Sequence, residues 1–231
     1  MIEKKKLLVW SGGMDSTAVL LNFCHSNTPV DTLYINQSNV DEGKREQEKK
    51  SREVILKAIR ETWKLEWKIN DYEVCIGDIS GMGVGLSQPA LWMFASAIFF
   101  NIHKYESIVF GYVRGDDFWH RKHEFLNAFN YTFMLYSGRN VIPHVEFPLE
   151  WDTKEEIVSN VYVNNSVTRE VFGKIWTCEE PEEGKECGKC KPCLSIKPAR
   201  ELFAQTIEDR IQDQTKEGQQ PTTEVRGLPG D

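Results

Sequence analysis

The feature that most constrains this chain is a short run near its start. Apolar Leu7-Leu8-Val9-Trp10 stops at the small polar turn Ser11-Gly12-Gly13 and reopens as Met14-Asp15-Ser16-Thr17. This order predicts a buried strand, a tight turn and the first turn of a helix. The first N–H groups of a helix have no partner inside it, and the helix dipole places about half a positive charge there. The junction is therefore a ready anion site. Gly12 and Gly13 let the main chain approach a ligand without a Cβ, and Ser11, Ser16 and Thr17 bring hydroxyls to phosphate oxygens. It is not a Walker loop, because no Gly-Lys-Ser/Thr follows a four-residue gap. The bland alternative is a capped strand–helix turn that binds nothing.

A second cluster lies toward the other end, where Cys178, Cys187, Cys190 and Cys193 follow the pattern C-x8-C-x2-C-x2-C. Four thiolates so spaced can reach one tetrahedral ion, and four protein ligands leave no open position for chemistry. The expected ion is zinc and its expected role structural. Gly188 and Pro192 stand between the ligands, where tight turns let the sulfurs converge. Two disulfides are the competing reading. Met1-Ile-Glu-Lys-Lys-Lys leads straight into the first strand, so no secretory leader is expected, and a cytoplasmic thiol cluster is more often metal-binding than oxidised. Cys24 and Cys75 are read as buried, inert thiols.

The 231 residues suit one α/β domain with a small appendage. A net charge of −7 and a pI near 5.4 argue against a broad basic face, so nucleic acid is not an expected partner. The longest apolar stretch, 90–102, falls short of the ~20 residues of a membrane span. Strands are expected at 6–10, 30–36, 66–70, 107–111 and 140–149. Helices are expected at 15–24, 41–63, 89–103, 122–136, 153–161 and 198–212, with Asp152 or Thr153 capping the fifth. Residues 75–88 are glycine-rich and read as a mobile loop. The alternation predicts a parallel sheet covered on both faces, with ligands at the carboxyl ends of its strands. Three regions are expected: a nucleotide-binding α/β domain at 1–165, a helical zinc-binding region at 166–212 and a disordered tail at 213–231.

Ser11-Gly12-Gly13-Met14-Asp15-Ser16 resembles the SGGxDS signature of the PP-loop ATP pyrophosphatases. Together with the four-cysteine pattern it is similar to the 7-cyano-7-deazaguanine synthases of queuosine biosynthesis. Phe110-Gly111, Asp116-Asp117-Phe118 and His123-Glu124-Phe125-Leu126-Asn127-Ala128 look like that family's segment after strand four. Phe147-Pro148-Leu149-Glu150-Trp151-Asp152-Thr153-Lys154-Glu155-Glu156-Ile157 is similar to its Pro-Leu-x-x-x-x-Lys-x-Glu stretch.

The resemblance implies a Rossmann-like five-stranded sheet of the adenine nucleotide alpha-hydrolase type, a zinc-bearing tail and a homodimer. It implies an ATP-dependent, AMP-forming ligase. The carboxylate of 7-carboxy-7-deazaguanine attacks the α-phosphorus, pyrophosphate leaves, and ammonia takes the acyl group to an amide and then a nitrile. Ser11, Gly12, Gly13, Met14, Asp15, Ser16, Thr17 and Gly111 are then the nucleotide-binding set, with Asp15, Ser16 and Lys154 catalytic and Mg²⁺ as the cation. Lys154 reads alternatively as a solvated helix residue. The family's Pro-Gly-Arg-Asn is replaced by Leu86-Ser87-Gln88-Pro89, its Tyr-Gly-Gln-x-His by Asn36-Gln37-Ser38-Asn39, and its Gly-Tyr-Pro-Asp-Cys-Arg by Trp119-His120-Arg121-Lys122. The ATP half and zinc half are retained while the substrate half is rewritten, so another amine, including one on a protein, is the alternative acceptor to ammonia. His120, Arg121 and His123 are candidates for an anionic substrate. A tRNA-thiolase-like enzyme and a non-catalytic nucleotide-binding relative are the other classes considered.

Overall fold

The computed structural model describes residues 5–37, 41–77, 88–116, 119–137 and 143–217, without the side chains of 88–90 and 213–217. Five parallel strands form one sheet in the order β3-β2-β1-β4-β5. They are β1 (Lys6–Val9), β2 (Val30–Gln37), β3 (Asp71–Ile76), β4 (Ser107–Phe110) and β5 (His144–Glu146). Helices α1 (Met14–His25), α2 (Glu42–Thr62), α3 (Gln88–His103) and α4 (Lys122–Ser137) connect them, and α5 (Lys154–Ile157), α6 (Ser166–Phe172) and α7 (Lys191–Glu217) follow.

Successive residues of a strand face opposite ways, and here both faces are covered. Leu8 and Trp10 pack with α1, α2, α6 and α7 through Val19, Ile55, Ile59, Phe172, Ile175, Ile196 and Ala199. Leu7 and Val9 pack on the other side with Ala95, Phe125 and Phe129 of α3 and α4. A central strand buried on both faces is mostly apolar, as Leu7-Leu8-Val9 of β1 and Ile108-Val109-Phe110 of β4 are, although β4 also buries Ser107 and β2 buries Asp31 and Thr32. The first core joins residues on both sides of position 165, so the C-terminal helices share apolar burial with β1 and α1. The chain winds outward from β1 to β3 and then returns to β4 on the opposite side of β1. That reversal opens a crevice outside the carboxyl ends of β1 and β4, where the Ser11–Gly13 turn lies.

Several boundaries differ from the sequence reading. The third strand lies at Asp71–Ile76, not 66–70. It is an edge strand whose Tyr72, Val74 and Ile76 face the core while Asp71, Glu73 and Cys75 face out. Cys75 is therefore exposed, not buried; Cys24 is buried as expected. The helix capped by Thr153, through a reciprocal bond pair with Glu156, widens after Ile157 into a π-helical turn over Val158–Tyr162. A further helix, α6, is capped by Asn165 and Thr168 in the same manner. The last helix begins at Lys191, so Pro198 lies inside it. The proline lacks the N–H that would meet the Leu194 carbonyl, and Leu194 is exposed, where water can serve instead. Residues 78–87, which hold most of the glycine-rich stretch and Leu86-Ser87, lie outside the described residues, as do Ser38-Asn39 and 218–231. Among the described residues no helix is long and apolar enough to cross a membrane.

Candidate active site

The turn after β1 is held from below and from one side. Trp10 is fully buried, and its indole N–H donates to the Thr17 hydroxyl at 2.9 Å. Thr17 is thereby turned into the core, and the hydroxyls left to the turn are those of Ser11 and Ser16. This corrects the expectation for Thr17: a buried indole needs an acceptor, and the helix supplies this one. The Ser11 hydroxyl accepts from the Gly13 N–H at 3.3 Å. Gly12 has φ +84°, in the left-handed region that favours glycine. Tyr162, placed by the π-helical turn, donates its buried hydroxyl to the Met14 carbonyl at 2.6 Å. From α2, the Ser51 hydroxyl lies 2.7 Å from the Lys174 carbonyl and 3.4 Å from that of Gly12.

The first α1 N–H bonded back into the helix is that of Thr17, to the Gly13 carbonyl at 3.0 Å. The N–H groups of Met14, Asp15 and Ser16 precede it and form the free helix end. Gly111, just past β4, crosses this end closely. A Cβ at Gly111 would stand 2.6 Å from the Ser16 Cα and 2.7 Å from its nitrogen. Only glycine lets β4 and α1 meet here.

Lys154 closes the other side. Its Nζ lies 3.0 Å from Asp15 Oδ2 and 3.8 Å from Asp116 Oδ1. The Thr153 cap sets the start of α5 and so the direction of Lys154. Burial alone would lower the pKa of this ammonium, but the Asp15 and Asp116 carboxylates more than offset it and hold it above the usual lysine value. Asp15 Oδ1 is buried and has no hydrogen-bond partner among the described residues. An unpaired buried carboxylate oxygen beside a phosphate-type turn suits a hard divalent cation such as Mg²⁺.

These groups share a cleft of about 670 Å³, within the usual size range of small-molecule sites. Ser11, Gly13–Ser16, Gly111, Asp116 and Lys154 line one part of it. Lys44, Glu48, Trp92, Tyr112 and Arg114 line another, and Trp176, Thr177, Glu179, Lys191 and Ser195 build the wall that approaches the cysteines. Lys44 joins two parts of this lining, lying 3.8 Å from both Glu48 and Glu179. His120, Arg121 and His123 are not part of the cleft lining among the described residues.

The sulfurs of Cys178, Cys187, Cys190 and Cys193 all lie within 4.8 Å of one another. All six cysteines are free, and these four sulfurs cluster as the ligands of one metal ion could. A tetrahedral ion with metal–sulfur bonds of about 2.3 Å separates its sulfurs by about 3.8 Å; the measured Cys178–Cys187 and Cys190–Cys178 separations are 3.5 and 3.9 Å. Backbone N–H groups of Cys187 and Cys190 donate to the sulfurs of Cys178 and Cys187, each at 3.3 Å. Gly188, at φ +68°, makes the turn between ligands. Glu186 pins the loop to α7, accepting from the Thr177 N–H at 3.0 Å and from Arg200 Nη2 at 3.0 Å.

Residues 90–202 match the family model of QueC, the queuosine biosynthesis protein. That segment is QueC-like. The QueC match takes in Gly111, Asp116, Lys154 and all four clustered cysteines, and it begins after the Ser11–Thr17 turn. No curated protein sequence matches the chain. Among solved structures, the U34-tRNA thiolase NcsA from Methanococcus maripaludis, with its [4Fe-4S] cluster, aligns at 12% identity and a TM-score of 0.47, over 98% of this chain and 77% of that one. NMN synthetase from Francisella tularensis aligns at 11% identity and a TM-score of 0.32, over 90% and 87%.

The structure thus brings Asp15, Ser16, Lys154 and Gly111 to one cleft. Asp116, Trp92, Arg114 and Trp176 join them there and were not singled out as site residues from sequence. Only for Asp116 was a signal present, because it belongs to the segment that carries the family resemblance.

Proposed function

We propose that the chain is an ATP-dependent, AMP-forming enzyme that adenylates a carboxylate, 7-carboxy-7-deazaguanine by its QueC likeness, and passes the acyl group to an amine. The observation that carries this is the meeting of Asp15, Ser16 and Lys154 at the free end of α1, in a cleft large enough for a nucleotide and a small acid. The carboxylate oxygen of the substrate bonds to the α-phosphorus as the bond to the β-phosphate oxygen breaks. The electron pair leaves with pyrophosphate. The N–H groups of Met14, Asp15 and Ser16 and the Ser11 hydroxyl receive the charge that grows on it, and Lys154 adds a cation fixed in place before the reaction. Mg²⁺, when bound, neutralises pyrophosphate charge, and Asp15 would hold it. An incoming amine then takes the acyl group and AMP departs. Ammonia and a protein amine are the two acceptors considered.

The cysteine cluster is proposed to hold one structural zinc ion. Sulfurs this close enclose a single ion, whereas a multi-iron cluster holds its cysteines further apart because each binds a different iron. Sulfur transfer is disfavoured, because neither Cys24 nor Cys75 lines the cleft. On this reading residues 1–165 supply the nucleotide half and 166–212 the metal-bearing half.

The test is AMP and pyrophosphate release with ATP, Mg²⁺ and a panel of carboxylates that includes 7-carboxy-7-deazaguanine, with adducts read by mass spectrometry. Asp15→Asn and Lys154→Met should each cut AMP formation by about a hundredfold or more while keeping a folded circular-dichroism spectrum. Wild-type turnover in both variants would remove the reading.

A further inference from the structure

Strands β2 and β4 flank β1 on opposite sides, so the segments that follow them stand on opposite flanks of the phosphate turn. On the β4 flank Lys154 is held by Asp15 and Asp116. On the β2 flank the first turn of α2 brings in Lys44. Asp41 caps this helix, its carboxylate accepting from the Lys44 backbone N–H at 3.0 Å. The next turn of α2 packs on the phosphate turn, with the Glu48 carbonyl 3.4 Å from where a side chain on Gly12 would begin. The cysteine loop closes on the same helix, with Pro181 Cγ 3.4 Å from the equivalent point of Gly43. Lys44 is thereby fixed between the turn and the cysteine loop.

Its side chain is nine-tenths buried, yet its Nζ makes no hydrogen bond among the described residues, and Glu48 and Glu179 approach it only to 3.8 Å. An ammonium with three donors is costly to bury unmatched. Neither carboxylate depends on it: Glu48 already accepts from the Tyr34 hydroxyl at 2.6 Å, and Glu179 is half-exposed. Lys44, Glu48 and Glu179 all line the large cleft. Lys44 and Ser11 also line a smaller cavity at the ends of β1 and β2, so Lys44 stands beside the turn where the two cavities meet.

We propose that Lys44 is a second phosphate-binding residue: its ammonium turns from Glu48 and Glu179 to donate to the phosphate chain of the nucleotide, on the flank of the turn opposite Lys154. This rests on the adenylating function proposed above and adds a cation on the β2 side of the site. Charge balance supports it. Lys154 is already matched by two carboxylates, so a polyphosphate over the turn needs positive charge from elsewhere. Phosphate oxygens would give Lys44 the charge-assisted hydrogen bonds that two carboxylates at 3.8 Å do not. Glu179 directly follows Cys178, so the metal-bearing loop shapes this flank of the nucleotide site.

Calorimetric titration of the metal-loaded protein with MgATP tests this. The proteins are wild type, Lys44→Met, Lys44→Arg and Glu179→Gln, matched for circular dichroism and metal content. Loss of a hydrogen bond between charged groups should weaken MgATP binding by about tenfold to a hundredfold in Lys44→Met, with most of the affinity kept in Lys44→Arg. Glu179→Gln removes a competing carboxylate, so its affinity should equal or exceed that of wild type. A lysine that merely tied α2 to the cysteine loop would give the opposite sign, because losing either partner would then loosen the site. In the wild type, bound MgATP should slow acetylation of Lys44, read by peptide mass spectrometry, and this measurement does not depend on the folding of any variant. Wild-type affinity in Lys44→Met, an equal loss in Glu179→Gln, or an acetylation rate that MgATP leaves unchanged would overturn the assignment. A wild type that binds no MgATP would instead overturn the adenylating function on which it rests.

Discussion

Gly111→Ala offers the sharpest test of how β4 and α1 build the cleft. The new methyl would meet the Ser16 Cα at 2.6 Å, and ordinary van der Waals contact begins at 3.4 Å, so the two backbones must separate by about 0.8 Å. No rotamer change relieves this, because the obstructing atoms are main chain. Overpacking of this kind costs about 1–3 kcal/mol, and for a chain of this size each kcal/mol lowers Tm by about 2–4 °C. The expected fall is therefore about 2–12 °C by scanning calorimetry. The larger effect is on chemistry, because the displaced atoms carry the N–H groups at the free end of α1. A misplacement near 1 Å can cost about a hundredfold in rate, so AMP formation should fall by that order even at saturating ATP. Gly173→Ala is the control. Its backbone conformation suits alanine, and the nearest atom to the new methyl is a carbonyl at 3.5 Å, so stability should hold or rise slightly. A Gly111→Ala protein with wild-type Tm and wild-type AMP production would refute the close-crossing argument.

Cys178→Ser should leave less than one zinc per chain by metal analysis and lower Tm by roughly 10 °C or more, because structural zinc contributes several kcal/mol of folding free energy; retention of one tightly held ion would contradict the four-sulfur assignment. Burial pushes the Cys24 thiol up to about 12 whereas Cys75 is exposed, so iodoacetamide at pH 8 should label Cys75 readily and Cys24 only on unfolding, as read by peptide mass spectrometry. Lys6 holds Glu146 below the usual carboxylate range although burial pushes the other way. A depressed folded-state pKa gives stability that is present above about pH 4.3 and lost as pH falls through the folded value. Glu146→Gln should therefore flatten the acid limb of a Tm-against-pH profile, and an unchanged limb would count against the pair.

What sequence made legible were the features fixed by backbone demands. The Ser11–Ser16 turn is one, since two glycines between an apolar strand and a helix leave few conformations. The cysteine spacing is another, since four ligands on so short a segment can only converge. The third strand was misplaced because Glu66–Asn70 and Asp71–Ile76 are both short and mixed, and the alternation of Tyr72, Val74 and Ile76 was the better signal. The start of α7 differs because Pro198 suits a first helical turn, whereas the helix already begins at Lys191 and carries Pro198 inside it. Asp116 carried a signal, since it lies in the segment that bears the family resemblance, whereas Trp176 carried none, because its place in the cleft lining depends on which segments the fold brings to β1.

The charge arrangement at the turn has a consequence for how it can bind a polyanion. One ammonium, Lys154, faces two carboxylates, Asp15 and Asp116, so these side chains carry net negative charge before any ligand arrives. The helix end adds only about half a positive charge. Pyrophosphate would meet an unfavourable field if Lys154 were its sole counter-charge, and at effective dielectrics near 20 such charges 4 Å apart interact by about 4 kcal/mol. The chain's own groups thus hold the lysine in position while leaving room for a further cation, and the unpartnered Asp15 Oδ1 is where the buried oxygen for it stands. The arrangement favours a metal-complexed nucleotide over a bare one, which is what a site for a departing pyrophosphate requires.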